Sequence, residues 1–238
     1  MTPPDSPNVS DAATQLDVAA RVAEVRARMD AAATRSGRDP SGVRLVAATK
    51  TVPVERVADA VAAGVVDLGE NRAQELLVKA PALADLRGDR GADVRWHFLG
   101  ALQRNKVRAL APWIACWQSV DRAALGAAIA ERAPGARVLV EVNVAAEPQK
   151  AGCSPDEAAG LVETLRADGL DVAGLMAVPP HGDDPRPWFV ALAALAARLE
   201  LAELSMGMTD DFEVAIEEGA TMVRVGRALF GPRPLPSP

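Results

Sequence analysis

Residues 43–50, "VRLVAATK", form an apolar run that ends in a charged amine, that of Lys50. The run is short and rich in β-branched residues, a pattern typical of a buried strand. Three roles are open to a lysine at the end of such a strand. Its amine can simply reach into water, or it can supply a fixed positive charge to an anionic ligand. If apolar walls desolvate it, the amine can also form a Schiff base with a carbonyl compound.

Polar residues also follow the other predicted strands. In chain order the strand ends are Glu70, Asn71, the stretch 97–100, Ser119, Asn143, Met176, Ser205 and the stretch 224–226, and most of them are polar. In a parallel barrel the carboxyl ends of all strands meet on one face, and that face carries the functional site. The sequence therefore predicts that Lys50 shares a site with these residues.

The last two predicted strands end in "LSMGMTDDFE" and "VRVGRALFG". In barrels of this kind a phosphate group often binds to the loops after strands seven and eight, at backbone N–H groups and a helix N-terminus. Ser205 offers a hydroxyl, Gly207 and Gly226 allow close approach of the backbone, and Arg227 begins a short helix. Turn glycines are the alternative explanation of this pattern. Together with Lys50, the pattern favours a phosphorylated carbonyl ligand, either a sugar-phosphate or pyridoxal phosphate.

Strand and helix patterns alternate along the whole chain. A helix is predicted over 13–36, followed by strands over 43–50, 65–71, 94–100, 114–120, 137–144, 170–178, 202–207 and 221–226. Helices are predicted between them, one of which begins at a capping box formed by Ser154 and Glu157. Regular alternation of this kind implies a parallel sheet with helical crossovers.

Eight such units in 238 residues predict a single TIM (β/α)8 barrel, in the α/β class, with an extra N-terminal helix. An open doubly wound sheet is the alternative, but no G-x-G-x-x-G motif follows the first strand. We expect a disordered lead over 1–12, a barrel domain over 13–233 and a disordered tail over 234–238.

Composition excludes several classes of function. The formal net charge of −6 argues against nucleic-acid binding. The two cysteines and two histidines are scattered, so neither a metal site nor a disulfide framework is predicted. The first residues lack the pattern of a signal peptide, and no apolar run reaches transmembrane length. We therefore expect a cytoplasmic protein that has no membrane partner.

Five segments together resemble one known family. They are "VAATKTVP", "DLGENRAQE", "WHFLGALQRNK", "GLMAVPP" and "LSMGMTDDFEVAIEEGATMVRVGRALFG". In this order and spacing they are similar to the pyridoxal phosphate homeostasis proteins, which are single-domain relatives of the alanine racemase N-terminal barrel. The resemblance covers about residues 43–233. Each motif is weak alone, but the full series is specific.

The resemblance implies that the cofactor is pyridoxal 5′-phosphate (PLP), held as a Schiff base on Lys50. It implies that Ser205, Gly226 and Arg227 bind the phosphate, that Arg224 faces the pyridine nitrogen, and that Asn71 lies close to the cofactor. His97, Gln103, Asn105 and Lys106 match a further family motif, but no role for them follows from the sequence.

The resemblance leaves open whether the protein is a catalyst. Racemase relatives use a lysine and a tyrosine as the two bases. This chain contains no tyrosine, and we expect no room in it for a second domain. His97 is the alternative second base. An arginine such as Arg224 stays protonated, so it would leave the pyridine nitrogen unprotonated and the ring a poor electron sink. We therefore expect a PLP carrier or regulator with no catalytic residue.

Further expectations concern partners. We expect a monomer that acts in vitamin B6 homeostasis and passes PLP to PLP-dependent apoenzymes. Lys150 is a candidate second amine for transfer, or else an ordinary loop lysine. A PLP-dependent amino-acid racemase or lyase is the first alternative function, and a Schiff-base aldolase or isomerase acting on sugar-phosphates is the second.

Overall fold

The structure is a computed structural model that describes residues 17–87, 93–180, 182 and 184–232. The predicted disordered lead over 1–12 and tail over 234–238 lie outside these residues. Among the described helices, none is both long enough and apolar enough to cross a membrane.

Eight strands in the described residues form a closed parallel barrel in the order β1 to β8. They are β1 Arg44–Ala48, β2 Asp67–Glu70, β3 Arg95–Phe98, β4 Ile114–Val120, β5 Arg137–Glu141, β6 Asp171–Met176, β7 Glu203–Ser205 and β8 Met222–Val225. Each pairs with its sequence neighbour, and β8 closes on β1. The predicted TIM barrel is thereby confirmed.

Helices precede, connect and follow these strands. They are α1 Val18–Arg35, α2 Val54–Ala62, α3 Ala73–Arg87, α4 Val107–Leu110, α5 Ala123–Arg132, α6 Ala158–Ala167, α7 Arg186–Arg198, α8 Phe212–Glu217 and α9 Arg227–Phe230. Short 3-10 turns occupy Pro40–Gly42 and Arg104–Lys106. The first of these was not predicted.

Two helices begin later than the sequence pattern indicated. The side chain of Asp17 caps α1 by accepting hydrogen bonds from the N–H groups of Ala19 and Ala20, so the helix begins at Val18. Residues 13–16 of that prediction lie outside the described part. Ser154 and Glu157 do exchange capping-box hydrogen bonds, at 2.9 and 3.3 Å, but they enclose a turn and regular helix begins only after it.

Side chains alternate between the barrel interior and the layer under the helices, as a two-residue repeat requires. A small interior cluster contains Val46, Cys116, Leu139, Met176 and Met222. A larger apolar layer joins the outside of the barrel to the helices. Because the interior is packed with side chains, a ligand can enter only at an end of the barrel.

The extra helix α1 supports the carboxyl end of the barrel. It packs against α8 and α9, and the Arg21 guanidinium donates a hydrogen bond of 3.0 Å to the Ala228 carbonyl in α9. The Arg28 guanidinium lies 4.7 Å from the centre of the Phe212 ring in α8. Since α9 follows β8, α1 fixes the segment where a phosphate site is predicted.

Candidate functional site

A cavity of about 580 Å³ opens at the carboxyl ends of the strands. Among its lining residues are five that the sequence predicted: Lys50, Asn71, Arg224, Gly226 and Arg227. Exposed apolar side chains, those of Val178 and Met208, also line the cavity. The structure thus brings together all but one of the predicted site residues, while their roles toward a cofactor remain predictions.

A buried lysine that the sequence analysis missed holds the segment around Lys50. The Lys79 ammonium donates to the Thr49 carbonyl at 2.7 Å and to carboxylates of Glu70 and Glu75, each at 2.8 Å. All three protons of the ammonium therefore have acceptors. In the sequence, Lys79 looks like any polar residue of an amphipathic helix.

The same two carboxylates also accept hydrogen bonds from residues next to Lys50 and from Asn71. Glu70 accepts hydrogen bonds from the Thr49 hydroxyl and from the N–H of Asn71, and Glu75 accepts one from the N–H of Thr51. The residues before and after Lys50 are therefore both fixed, and so is Asn71. We call Lys79, Glu70 and Glu75 the lysine-loop cluster.

Thr51 has a left-handed backbone with φ of 64°. A β-branched residue is strained in this region, at a cost of about 1–3 kcal/mol. The hydrogen bond of 2.7 Å from its N–H to Glu75 helps to hold that conformation. Directly after Lys50, the chain can thus turn sharply away from β1 while Lys50 remains beside the cavity.

Arg224 brings a buried positive charge to the cavity. The residue is only 5% exposed, and burial lowers the pKa of its guanidinium to about 10, so it remains protonated at neutral pH. Nη1 donates to the Ser205 carbonyl and hydroxyl, both at 2.7 Å, and Nη2 donates to the Ala177 carbonyl at 2.9 Å. Of the five N–H groups, these contacts leave Nε–H and one on Nη2 for a ligand.

Ser205 is the predicted site residue that does not line the cavity. It is fully buried, and its hydroxyl donates to Gln118 while accepting from Arg224. A hydroxyl that lines the cavity beside the start of α9 is that of Thr209, whose Oγ1 accepts a hydrogen bond of 3.5 Å from the N–H of Ala228. The sequence analysis missed Thr209 because it selected the last residue of the strand, whose side chain points into the barrel.

The turns after β7 and β8 need their glycines for different reasons. At Gly207, φ is +88° and an added Cβ would lie 2.5 Å from that of Ala215, so backbone conformation and packing against α8 explain this glycine. At Gly226 an added Cβ would lie 3.2 Å from the Ala48 carbonyl oxygen. The backbone of β8 therefore passes close to the end of β1 where α9 begins.

The sequence analysis also missed a basic side chain of the cavity lining, that of Arg56. Nη1 of Arg56 donates to the Phe230 carbonyl at 3.0 Å, while Nη2 is buried and has no hydrogen-bond partner within the described part of the chain. Buried donors usually have a partner. Arg56 therefore offers an unpaired donor beside a cavity that already contains Lys50 and Arg227.

The residues without an assigned role lie outside the cavity lining. His97 is buried inside the barrel, Gln103 and Asn105 are exposed, and Lys106 is half-buried. Lys150 is half-buried as well, where it donates to the Pro179 carbonyl and forms an ion pair with Glu147.

Glu141, at the end of β5, is a further unpredicted group near Arg224. Burial and the negative charge of Asp121 raise the pKa of its carboxyl to about 7, although Arg224 acts in the opposite direction. The carboxyl is therefore largely uncharged in slightly acidic solution.

Comparison with known proteins agrees with this geometry. The family model of the alanine racemase N-terminal domain matches residues 21–234. The pyridoxal phosphate homeostasis protein of Pseudomonas aeruginosa is 41% identical over 231 residues, which cover 93% of this chain and 98% of the relative. That of Aquifex aeolicus is 42% identical over 227 residues, covering 90% and 97%.

One solved structure is informative about a ligand. PipY of Synechococcus elongatus, solved with PLP bound, superimposes with a TM-score of 0.76 at 31% identity. The match covers 90% of this chain and the whole of that chain.

The fold and site define a (β/α)8-barrel protein with one lysine and three arginines in the lining of a cavity at the carboxyl ends of the strands. The chain belongs to the family of pyridoxal phosphate homeostasis proteins, which have the alanine racemase N-terminal fold. The resemblance inferred from the five sequence segments is thereby confirmed.

The lysine-loop cluster yields a stability prediction. Replacing Lys79 with Met leaves the fully buried Glu70 without its charge partner, so the free energy of unfolding should fall by about 3–5 kcal/mol. Adding Glu70→Gln should restore part of the lost stability because it removes the unpaired charge of the buried carboxylate. Urea denaturation measures both, and Lys106→Met is the control. A loss below about 1 kcal/mol would contradict this account of the cluster.

Glu141 yields a pH prediction. The carboxyl has a higher pKa in the folded state than its ordinary 4.5, so ionisation favours unfolding. Its contribution should destabilise the fold by about 2–3 kcal/mol as pH rises from the unfolded pKa to the folded pKa. Glu141→Gln should therefore stabilise the protein more at about pH 8 than at about pH 5, as urea denaturation would measure. An equal effect at both values would refute the shift.

Proposed function

We propose that this protein binds PLP through a Schiff base on Lys50 and acts in PLP homeostasis without amino-acid turnover. The observation that carries the proposal is the cavity itself, in which Lys50 lies with Arg224 and with the start of α9. The relatives' names and the PLP-bound PipY structure support the same ligand.

The cavity suits an aldehyde that carries a phosphate. The Lys50 amine would attack the aldehyde carbon, and one water molecule would leave as the C=N bond forms. The backbone at Gly226 and Arg227 and the Thr209 hydroxyl would bind the phosphate. The unpaired Nη2 of Arg56 is a further donor for this anion. Ser205, which the sequence placed at the phosphate, would instead hold Arg224.

Arg224 supports a carrier rather than a catalyst. Bound PLP supplies a reactive aldehyde and, when its ring nitrogen is protonated, an electron sink. Because the Arg224 guanidinium remains protonated, it would donate a hydrogen bond to that nitrogen and keep it unprotonated. Asn71 would lie beside the ring. We propose that the bound aldehyde is masked but not activated.

The cavity lining also favours the absence of racemase activity. Two-base racemisation needs a proton donor on each face of the substrate carbon. The chain contains no tyrosine, and the one carboxylate in the described lining, that of Asp210, forms an ion pair with Arg227. His97 lies in the barrel interior and not in the lining. We propose a monomer in the cytoplasm that passes PLP to apoenzymes, and Lys150 remains a candidate for transfer.

An absorbance spectrum tests the proposal. Wild-type protein incubated with PLP should acquire the visible absorbance band of a lysine-linked pyridoxal group, and Lys50→Ala should lack it. Lys106→Ala is the matched control and should retain the band. No band in the wild type would reject PLP and favour the sugar-phosphate alternative. Steady turnover of an added amino acid by the loaded wild type would reject the carrier role in favour of a racemase or lyase.

A further inference from the structure

The barrel interior contains a line of polar side chains that neither packing nor the cavity explains. They are Asp67 on β2, His97 on β3, Gln118 on β4 and Ser205 on β7, and all are buried. We call these four residues the interior chain. A packed barrel core is normally filled by apolar residues, and buried polar groups need hydrogen-bond partners.

Consecutive members are joined by hydrogen bonds. The Ser205 hydroxyl lies 2.6 Å from Gln118 Oε1, and Gln118 Nε2 lies 2.7 Å from His97 Nδ1. His97 Nε2 then lies 2.9 Å from Asp67 Oδ1. Since Arg224 donates to the Ser205 hydroxyl, the chain continues from the cavity toward the opposite end of the barrel.

At that opposite end of the barrel, the interior chain ends in an ion pair. The Arg95 side chain, 51% exposed, donates to both carboxylate oxygens of Asp67 at 2.8 Å. Burial alone would raise the pKa of Asp67, but hydrogen bonds from His97 and Arg95 outweigh it and lower the pKa to about 2. Asp67 is thus a fixed negative charge, and an acceptor, at the amino end of the barrel.

The direction of every hydrogen bond follows from Arg224. Arginine has donors only, so the Ser205 oxygen must accept from it, and the Ser205 proton must go to Gln118 Oε1. The Gln118 NH₂ group then faces His97 Nδ1, with Met222 Sδ at 3.7 Å as a second, weak acceptor. Because Nδ1 accepts, His97 carries its proton on Nε2 and donates it to the carboxylate.

We infer that the interior chain holds the Arg224 guanidinium in the orientation that presents its remaining N–H groups to the cofactor ring. Ser205 contacts Arg224 directly, and Gln118, His97 and Asp67 act through it as positioning residues. In the described residues no carboxylate lies within ion-pair distance of Arg224, although Glu141 and Asp211 both act to raise the pKa of its guanidinium. The hydrogen bonds of the interior chain, which end at the carboxylate of Asp67, restrain the orientation of Arg224 as a direct ion pair would otherwise do.

This inference rests on the proposed function, since it assigns Arg224 to the ring end of PLP. It also makes a claim about the ligand-free protein, namely the position of the His97 proton. That claim can be tested whether or not PLP binds.

Nitrogen-15 NMR of the full chain provides the ligand-free test. The sequence has two histidines, so comparison with His181→Gln assigns the ring signals of His97. We expect protonated Nε2 and unprotonated Nδ1. Adding PLP should shift these signals in the wild type, although His97 does not line the cavity, and should leave them unchanged in Ser205→Ala. A proton on Nδ1 in the ligand-free wild type would overturn the inference.

Gln118→Leu provides the binding test, because it removes both links of the amide at similar volume. The contact between Arg224 and the cofactor ring should weaken. Affinities for PLP and for pyridoxal, which lacks the phosphate, should therefore both fall on the order of tenfold. The absorbance maximum of the bound ligand should shift as well. Gln118→Glu keeps an acceptor for the Ser205 hydroxyl but loses the donor to His97 Nδ1, so it should restore the wild-type maximum and both affinities only in part.

Thr209→Val provides the contrast at the phosphate end. It should weaken PLP alone and leave pyridoxal affinity and the absorbance maximum unchanged. If Gln118→Leu does not fold, Ser205→Ala removes one oxygen and should give the same losses. A folded variant of either kind with wild-type affinities and maximum would overturn the inference while the proposed function stands. A wild type that binds no PLP, but in which His97 is protonated on Nε2 as expected, would overturn the proposed function. It would also overturn the role of the interior chain toward a cofactor.

Discussion

One buried ammonium, that of Lys79, determines the shape of the candidate site. Its three hydrogen bonds reach the end of β1 and two carboxylates, and those carboxylates bind the backbone around Lys50 and Asn71. Desolvating a charge is costly, so such a cluster is stable only when every donor is satisfied. Here the satisfied cluster also holds the strained, left-handed backbone of Thr51. This conformation turns the chain sharply directly after Lys50, beside the cavity.

A second buried charge, that of Arg224, is stabilised differently. Its partners are two carbonyl groups and the Ser205 hydroxyl, all neutral. The two charges therefore have different consequences. The lysine-loop cluster fixes the backbone from which the Lys50 side chain extends. The contacts of Arg224 instead fix a side chain and leave some of its N–H groups facing the cavity. Under the proposed function, the Lys50 amine would hold the aldehyde of PLP and the Arg224 guanidinium would keep the ring nitrogen unprotonated.

The barrel could be predicted from the sequence because the patterns of its strands and helices depend on residues that are close together in the chain. The run 114–120 is mostly apolar, with Gln118 and Ser119 as its polar residues, and this strand was predicted with its observed bounds. Lys50, Asn71 and Arg224 were found because residues at the carboxyl ends of barrel strands share one face. The start of α1 was predicted too early because the alanines before Asp17 suit a helix as well as those after it.

What could not be predicted depends on distances between segments that are far apart in sequence. Lys79 has the spacing of a surface lysine, and its contacts with Thr49, 30 residues away, and with the buried Glu70 distinguish it. Gln118 meets Ser205 across 87 residues, and no local pattern indicates that pairing. Thr209 was overlooked in favour of Ser205 because the sequence does not reveal which of two nearby hydroxyls turns toward the cavity.

The central claim is that Lys50 is the amine that holds PLP. Borohydride reduces a Schiff base to a stable secondary amine, so reduction of the PLP-loaded protein followed by proteolysis and mass spectrometry locates the modified lysine. We predict a phosphopyridoxyl group on the peptide that contains Lys50, and on that lysine alone. Modification of Lys150 or another lysine in place of Lys50, or an unmodified digest, would contradict the account.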